Sequence, residues 1–160
     1  MENKFARGRS SEIFRLEDNK VMKLFFKDFK TEDINQEYQN SLIASKLGCT
    51  PIKVYEKVNQ EGRSGFIMSF VDGVCQNDMP GKNPFYIFKA GYDLAKCHVL
   101  VQQKHSHELK DIRLVATSLF NNKEFSDFTD EEKEKMKKYI MSLPEEDGVL
   151  HLDFHTGNVL

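Results

Sequence analysis

An α+β fold is the class that this sequence of 160 residues predicts, and three observations point to it. Short apolar runs typical of strands dominate residues 1–70, and one helical pattern interrupts them at 31–47. Beyond a polar stretch, apolar residues recur at helical spacing from Phe85 onward. The sequence therefore predicts an N-terminal antiparallel sheet with one helix at 1–70, a hinge at 69–74 and a mainly helical part at 75–160.

The first predicted element is a hairpin at residues 5–16, in which two strands are joined by a polar turn. Gly8, Ser10 and Ser11 lie in or beside this turn and offer backbone and hydroxyl groups that could cover phosphates. The turn has one glycine and lacks a full Gly-x-Gly-x-x-Gly pattern. An ordinary surface hairpin is therefore the competing interpretation.

The next strand is predicted at 20–26, with Lys23 inside an apolar run. Because side chains alternate along a strand, Lys23 can face a cleft while its neighbours pack into the core. The helix at 31–47 ends at Gly48 and carries Glu37. If this helix packs beside the sheet, Glu37 can pair with Lys23. Considered singly, each residue is equally well an ordinary solvated charge.

Two further strands are predicted at 51–56 and 65–71, with a hairpin turn at 59–64 between them. A helix follows from about 85 to 102. A second, charged helix is predicted at 129–141, and its first residues have the spacing of a capping box. The segment between these two helices shows no recognisable substrate signature.

The predicted hinge is the position at which a planar ring would lie against the chain. Backbone groups near Ser69, Phe70 and Val71 would hydrogen-bond the edge of that ring, so the side chains there say little about the ligand. A plain core strand is the competing interpretation of this segment.

The C-terminal residues contain the most informative motif. Asp153 is followed five positions later by Asn158 and is preceded by His151. A carboxylate and a carboxamide at this spacing are typical of the catalytic loop of phosphotransferases. Asp153 would accept or orient the proton of an attacking hydroxyl, and Asn158 would offer its carbonyl oxygen to a magnesium ion. Residues 159–160 are predicted to begin a strand.

Together these segments resemble the aminoglycoside phosphotransferase and choline kinase family of kinase-like enzymes. The most specific part is Asp153-Phe154-His155 followed by Gly157-Asn158, because protein kinases carry Arg-Asp in the equivalent loop. The resemblance spans nearly the whole chain. Its residues are 8–14, 21–24, Glu37, 71–73, 94–98 and 151–158.

The resemblance implies a kinase-like bilobal fold, ATP and magnesium as cofactors, and a hydroxyl of a small polar molecule as the phosphoryl acceptor. It implies that Asp153 is catalytic and that Asn158 binds the metal. Lys23, held by Glu37, would contact the α- and β-phosphates. The other residues assigned to the nucleotide are Gly8, Ser10, Ser11, Ser69, Phe70 and Val71.

The sequence departs from the family pattern in two respects. Family members continue past the asparagine into a strand bearing an aspartate that bridges the magnesium ions, whereas this sequence stops at Leu160. We therefore expect a chain truncated after the catalytic loop, with an incomplete C-terminal lobe and impaired or no phosphoryl transfer. Position 152 is leucine where the family more often has glycine, a change expected to alter loop packing.

Two alternative functions fit the same residues. His151, Asp153 and His155 alternate, so on an extended strand all three would point one way and could hold zinc in a metal-dependent hydrolase. The second alternative is a non-catalytic remnant that binds a nucleotide or a protein partner. Such a remnant would leave apolar surface uncovered.

The composition is that of an ordinary globular protein, with 39% hydrophobic residues, 30% charged residues and a net charge of −2. Basic and acidic residues are interleaved, so we expect no nucleic-acid partner. No apolar stretch approaches a membrane span, and no membrane partner is expected. Three widely spaced cysteines, Cys49, Cys75 and Cys97, are typical of a reducing cytoplasm. The sequence specifies neither the acceptor nor the oligomeric state.

Overall fold

The computed structural model describes residues 4–79 and 83–159. Within these residues it contains one five-stranded antiparallel sheet and four α-helices, which confirms the α+β class. The strand order is β1-β2-β3-β5-β4. The strands are β1 (Lys4–Arg7), β2 (Ser11–Arg15), β3 (Lys20–Phe25), β4 (Val54–Gln60) and β5 (Arg63–Ser69). The helices are α1 (Thr31–Lys46), α2 (Tyr86–Gln102), α3 (Ile112–Ser118) and α4 (Asp130–Ser142).

The chain divides into two compact units. The first comprises Met1–Val101 together with His151–Leu160, and the second comprises Gln102–Leu150. The sheet, α1 and the predicted catalytic loop therefore belong to the first unit. The predicted domain limits at 1–70 and 75–160 stay predictions.

The core of the first unit forms on both faces of the sheet. One cluster joins Phe14, Met22 and Leu24, and a second joins Phe25, Ile34 of α1 and Phe66. Because side chains alternate along β3, Met22 and Leu24 pack on one face, while Phe25 packs on the face that α1 covers. Phe25, Leu24 and Phe66 are the largest fully buried side chains.

The structure corrects the predicted hairpin between β4 and β5. The sequence predicted a strand at 51–56 and a turn at 59–64, but β4 extends to Gln60 and the turn is only Glu61–Gly62. Both turn residues have positive φ, 55° at Glu61 and 71° at Gly62. Two consecutive left-handed residues are typical of the tight hairpin turn whose twist matches that of the strands. Asn59 and Gln60, which the sequence assigned to the turn, therefore lie at the end of β4 and are exposed.

The helical part of the chain is predicted well where the pattern is long. Helix α2 matches the pattern at 85–102. The capping box of α4 is present, because Thr129 and Glu132 bond to each other's backbone. Helix α3 was missed, since seven residues are too few to establish a helical period. The predicted strand at 159–160 is not seen at Val159, and Leu160 lies outside the described residues.

Among the helices of the described residues, none is both long enough and apolar enough to cross a membrane.

An ion pair between β2 and β5 ties three strands together. Arg63 of β5 donates to Glu12 of β2 at 2.8 Å and to the backbone oxygens of Leu24 and Phe25, each at 2.9 Å. The Arg63 and Glu12 side chains are only 13% and 14% exposed. Because the guanidinium also satisfies two main-chain acceptors, the pair fixes the register at this end of the sheet.

The Glu12–Arg63 pair should make stability depend on pH. The hydrogen bond from Arg63 lowers the pKa of Glu12, as does Lys4 more weakly, against the opposing effect of burial. A lowered folded-state pKa stabilises the fold above the unfolded-state value of about 4.3, and this contribution disappears as the pH falls through the folded-state pKa. We expect Glu12→Gln to be less stable than the wild type at pH 7, with the difference shrinking on acidification.

Urea unfolding of the wild type and Glu12→Gln at several pH values measures this difference. Glu56→Gln, at an exposed position of β4, is the matched control and should follow the wild type. A stability difference between wild type and Glu12→Gln that stays constant from pH 7 to acid would contradict the assignment.

Candidate functional site

The structure contains the predicted pair of Lys23 and Glu37. Lys23 lies on β3 and forms an ion pair with Glu37 of α1. Its Nζ atom also lies 5.0 Å from the centre of the Phe25 ring. The pair forms because strand alternation directs Lys23 to the face that α1 covers, away from the cluster containing Met22 and Leu24. The role of this pair toward a nucleotide stays a prediction.

The ammonium of Lys23 is oriented by Glu37 and stays partly accessible to solvent. The side chain of Lys23 is 20% exposed and that of Glu37 is 37% exposed. An ammonium carries three hydrogen-bond donors, and Glu37 occupies one of them. Lys23 therefore presents an oriented positive charge with donors left for an anion.

The turn between β1 and β2 is fastened by backbone hydrogen bonds. Gly8 N–H donates to Ser11 O at 2.8 Å, and Phe26 N–H donates to Ser10 O at 3.0 Å. Gly8 and Arg9 are exposed and Ser10 is half-buried, but Ser11 is only 5% exposed because it begins β2. Gly8 and Ser10 are therefore accessible to a ligand, and Ser11 is the least accessible residue of the predicted phosphate-covering set.

Two of the three predicted hinge residues use their backbone N–H groups in hydrogen bonds within the protein. Ser69 N–H donates to Lys53 O at 2.8 Å, and Phe70 N–H donates to Asn19 O at 2.7 Å. Among the described residues, no hydrogen-bond partner is seen for the backbone N–H of Val71. Of the three predicted hinge residues, Val71 is thus the one whose N–H has no partner among the described residues and could bind the edge of a ring.

The loop at 151–158 brings its acid and amide together. Asn158 Nδ2 donates to Asp153 O at 2.9 Å and to Asp153 Oδ2 at 3.2 Å. His155 Nδ1 accepts from Gly157 N–H at 3.0 Å. A Cβ atom at Gly157 would lie 2.7 Å from His155 Cε1, so a larger residue there would have to displace the exposed His155 ring. Because Asn158 donates through Nδ2, its Oδ1 atom stays available as an acceptor or metal ligand.

The imidazole rings of the loop contact its backbone and the Phe154 ring. His151 Nδ1 accepts from Asp153 N–H at 3.4 Å, and the Phe154 ring packs between His151 and His98, with ring centroids 5.3 Å and 4.9 Å away. His155 Nε2 lies 3.7 Å from Asp153 Oδ1. One nitrogen of each loop histidine thus accepts a backbone N–H.

The geometry behind the hydrolase alternative is wrong. That alternative required His151, Asp153 and His155 on an extended strand, but Leu152 has φ 65° and no strand forms here. Within the described residues, no group of three or more His, Cys, Asp or Glu side chains is arranged to hold a metal ion. A left-handed leucine costs about 1 kcal/mol relative to glycine, which gives a physical reason for a glycine at position 152.

Residues that the sequence interpretation missed hold the loop in place. Gln76 N–H donates to Val159 O at 2.9 Å, and Asn77 Oδ1 accepts from Thr156 Oγ1 at 3.4 Å. Cys75 Sγ donates to Thr156 O at 3.3 Å. These contacts join residues about eighty positions apart, and the only sequence signal was the polar character of the segment after the hinge.

The sheet connects the two predicted pairs within the first unit. Phe66 of β5 is the register partner of Lys23 on β3. From there β5 leads through the hinge to residues 75–77, which hold the loop containing Asp153 and Asn158. The structure thus pairs Lys23 of β3 with Glu37 of α1, and Asp153 with Asn158 in the loop at 151–158. Both pairs belong to the first unit.

The second unit contains a cavity of about 460 Å³ that includes none of the predicted site residues. Its walls carry lysines, acids and amides, and Phe120 is the buried residue among them. The cavity is lined by Phe120, Asn121, Asn122, Lys123, Ser126, Asp130, Lys133, Glu134 and Lys137.

Comparisons with known proteins assign the chain to no family. No protein-family model matches the chain, and no curated protein matches it. The resemblance to aminoglycoside phosphotransferases and choline kinases therefore stays a hypothesis that depends on the residues described above.

Proposed function

We propose that this chain is an aminoglycoside phosphotransferase- or choline kinase-like protein with a bilobal fold, located in the cytoplasm. Its proposed activity is transfer of the γ-phosphoryl group of ATP, with magnesium, to a hydroxyl of a small polar molecule. The observation that carries the proposal is the ion pair between Lys23 on β3 and Glu37 on α1. An ammonium oriented by a helix glutamate is the arrangement by which protein kinases hold nucleotide phosphates.

The donor set at the loop fits a magnesium ion bound with a nucleotide. Magnesium prefers oxygen ligands and usually takes one or two from the protein, keeping water and phosphate oxygens for the rest. Asn158 Oδ1 is one such oxygen, because Asn158 donates to Asp153 through Nδ2. Bound magnesium and ATP would supply the phosphoryl group and neutralise its charge.

The chain's own residues would provide the proton acceptor and the contacts that orient the nucleotide. Asp153 would accept the proton of the acceptor hydroxyl, because its carboxylate is exposed and held by the amide of Asn158. Lys23 would orient the phosphates, and the turn with Gly8 and Ser10 would cover them. The N–H of Val71, beside Ser69 and Phe70, would bind the base.

Removal of the Lys23 ammonium tests the nucleotide site directly. We expect Mg-ATP to raise the melting temperature of the wild type, since a ligand at one hundred times its Kd adds about 2.7 kcal/mol. Lys23→Met should lose most of this rise, because a hydrogen bond to a charged group contributes about 1.5–3 kcal/mol. Differential scanning fluorimetry with and without Mg-ATP gives the rise for each variant.

Lys46→Met is the matched control, because Lys46 is an exposed lysine at the end of α1. It should keep the full rise with Mg-ATP. Each variant is compared with itself without nucleotide, so a loss of basal stability does not enter the result. A rise in Lys23→Met equal to that of the wild type would contradict the proposed site.

A further inference from the structure

The cavity beside α4 in the second unit plays no part in the proposed nucleotide site. Its volume of about 460 Å³ is within the range of small-molecule sites, which is about 300–1,000 Å³. Every residue that lines it belongs to the second unit, so the cavity is formed within that unit. A single water molecule, with a share of about 30 Å³, would fill only a small part of it.

The walls of the cavity are held by contacts within the second unit. One wall consists of two short 3-10 turns, Leu119–Asn121 and Lys123–Phe125, and the other is α4. Phe120 is only 7% exposed, and its ring packs edge-on against Phe125 with centroids 5.0 Å apart. Phe125 does not line the cavity, so this contact fixes the wall without a ligand.

Lysines outnumber acids on the cavity walls. Lys137 forms an ion pair with Glu134 at 2.9 Å, so these two charges offset each other. Lys123 and Lys133 have no ion pair within the residues that the structure describes, and the remaining acid is Asp130. One positive charge on the walls is therefore uncompensated, and two ammonium groups keep their hydrogen-bond donors for a ligand.

Neutral hydrogen-bonding groups lie beside these two lysines. The side-chain amides of Asn121 and Asn122 line the cavity, and neither bonds to another residue in the part of the chain that the structure describes. An amide offers donors and an acceptor, and the Asp130 carboxylate offers further acceptors. The cavity thus combines cations for an anionic group with amide and carboxylate groups for hydroxyls.

The charge of the walls also narrows the kind of anion. A divalent cation would face Lys123 and Lys133 and is disfavoured by like-charge repulsion. A carboxylate carries one negative charge, whereas a phosphate monoester carries nearly two at neutral pH. Two ammonium groups therefore match a phosphate monoester better than a carboxylate.

We infer that this cavity binds a small phosphate monoester that carries hydroxyl groups, as a sugar phosphate does. Lys123 and Lys133 hold the phosphate as point charges. The amides of Asn121 and Asn122, with the carboxylate of Asp130, bind the hydroxyls. This inference is independent of the proposed nucleotide site, because the two sites share no residue.

Three related ligands test the charge requirement. Isothermal titration calorimetry compares glucose 6-phosphate, gluconate and glucose as ligands of the full 160-residue chain. Glucose 6-phosphate should bind at least about tenfold more tightly than glucose, because only the phosphate makes charge-assisted hydrogen bonds with the lysines. Gluconate, with one negative charge, should bind with intermediate affinity. Equal affinity for glucose 6-phosphate and glucose, or tighter binding of gluconate, would overturn the inference.

Variants of the walls test the location. Lys133→Met should weaken glucose 6-phosphate binding about tenfold, the lower end expected for losing a hydrogen bond to a charged group. Lys135→Met is the matched control, because Lys135 is an exposed lysine of α4 that does not line the cavity. Ser126→Trp adds bulk to the wall without removing a charge and should abolish binding. Circular dichroism establishes that each variant is folded.

Two results would overturn the location. The first is no binding of glucose 6-phosphate by the wild type, or the same affinity in Lys133→Met and Lys135→Met. The second is loss of glucose 6-phosphate binding in Lys23→Met, which would place the phosphate at the proposed nucleotide site. We expect Lys23→Met to bind glucose 6-phosphate like the wild type, whether or not it binds Mg-ATP.

Discussion

Asp153→Asn is expected to reduce whatever phosphoryl transfer the chain supports by about 100- to 10,000-fold, which is the usual contribution of a general base. The substitution preserves shape and keeps an acceptor oxygen near Asn158 Nδ2, which lies 3.2 Å from Asp153 Oδ2 in the structure. It removes only the basic carboxylate. The affinity for Mg-ATP should therefore stay close to that of the wild type.

The measurement follows ADP formation from Mg-ATP with a panel of hydroxyl compounds that includes aminoglycosides, choline and sugars. Asp28→Asn, at an exposed position before α1, is the control and should retain wild-type turnover. Unchanged turnover in Asp153→Asn would remove this residue from the role of base. Mg-ATP binding by the wild type without transfer to any compound would favour the non-catalytic nucleotide-binding alternative.

Gly65→Ala is expected to lower the free energy of unfolding by about 3 kcal/mol, the upper part of the range for overpacking a core. Gly65 lies on β5 opposite Leu24, and a Cβ atom there would be 1.9 Å from the carbonyl oxygen of Lys23. The clash is with backbone, so no side-chain rotation relieves it. The substitution should separate β3 from β5 and displace Lys23.

Gly91→Ala provides the matched comparison, because a Cβ atom in this exposed part of α2 meets nothing within 4 Å. Alanine favours helix over glycine by about 1 kcal/mol, so this variant should be more stable than the wild type. Urea unfolding of both variants measures the two free energies. A Gly65→Ala protein as stable as the wild type would show that the β3–β5 contact is looser than the structure indicates.

Local patterns were sufficient to predict most of the first unit. The alternation around Lys23 and the helical period from Thr31 indicated a strand and a helix, and together they predicted the Lys23–Glu37 pair that the structure contains. The acid-amide contact of Asp153 and Asn158 could also be predicted, because the two residues are five positions apart and Thr156-Gly157 provides a turn between them.

Contacts between distant segments could not be predicted from such patterns. The Glu12–Arg63 pair joins residues 51 positions apart, and the bonds from Gln76 and Asn77 to the loop join residues about eighty apart. Neither has a periodic signal. The extended strand imagined for 151–155 failed for another reason: alternating polar residues suggest a strand, but the backbone at Leu152 is left-handed.

The central claim is that the Lys23–Glu37 pair and the Asp153–Asn158 pair act on one bound triphosphate. Paramagnetic broadening by Mn²⁺-ATP tests it most directly, with amide signals recorded by NMR in the presence of Mg-ATP and then of Mn-ATP. The claim predicts that Mn-ATP broadens the signals of Lys23 and of residues 153–158 together, and that Lys23→Met reduces both effects. Broadening confined to one of the two groups would contradict it.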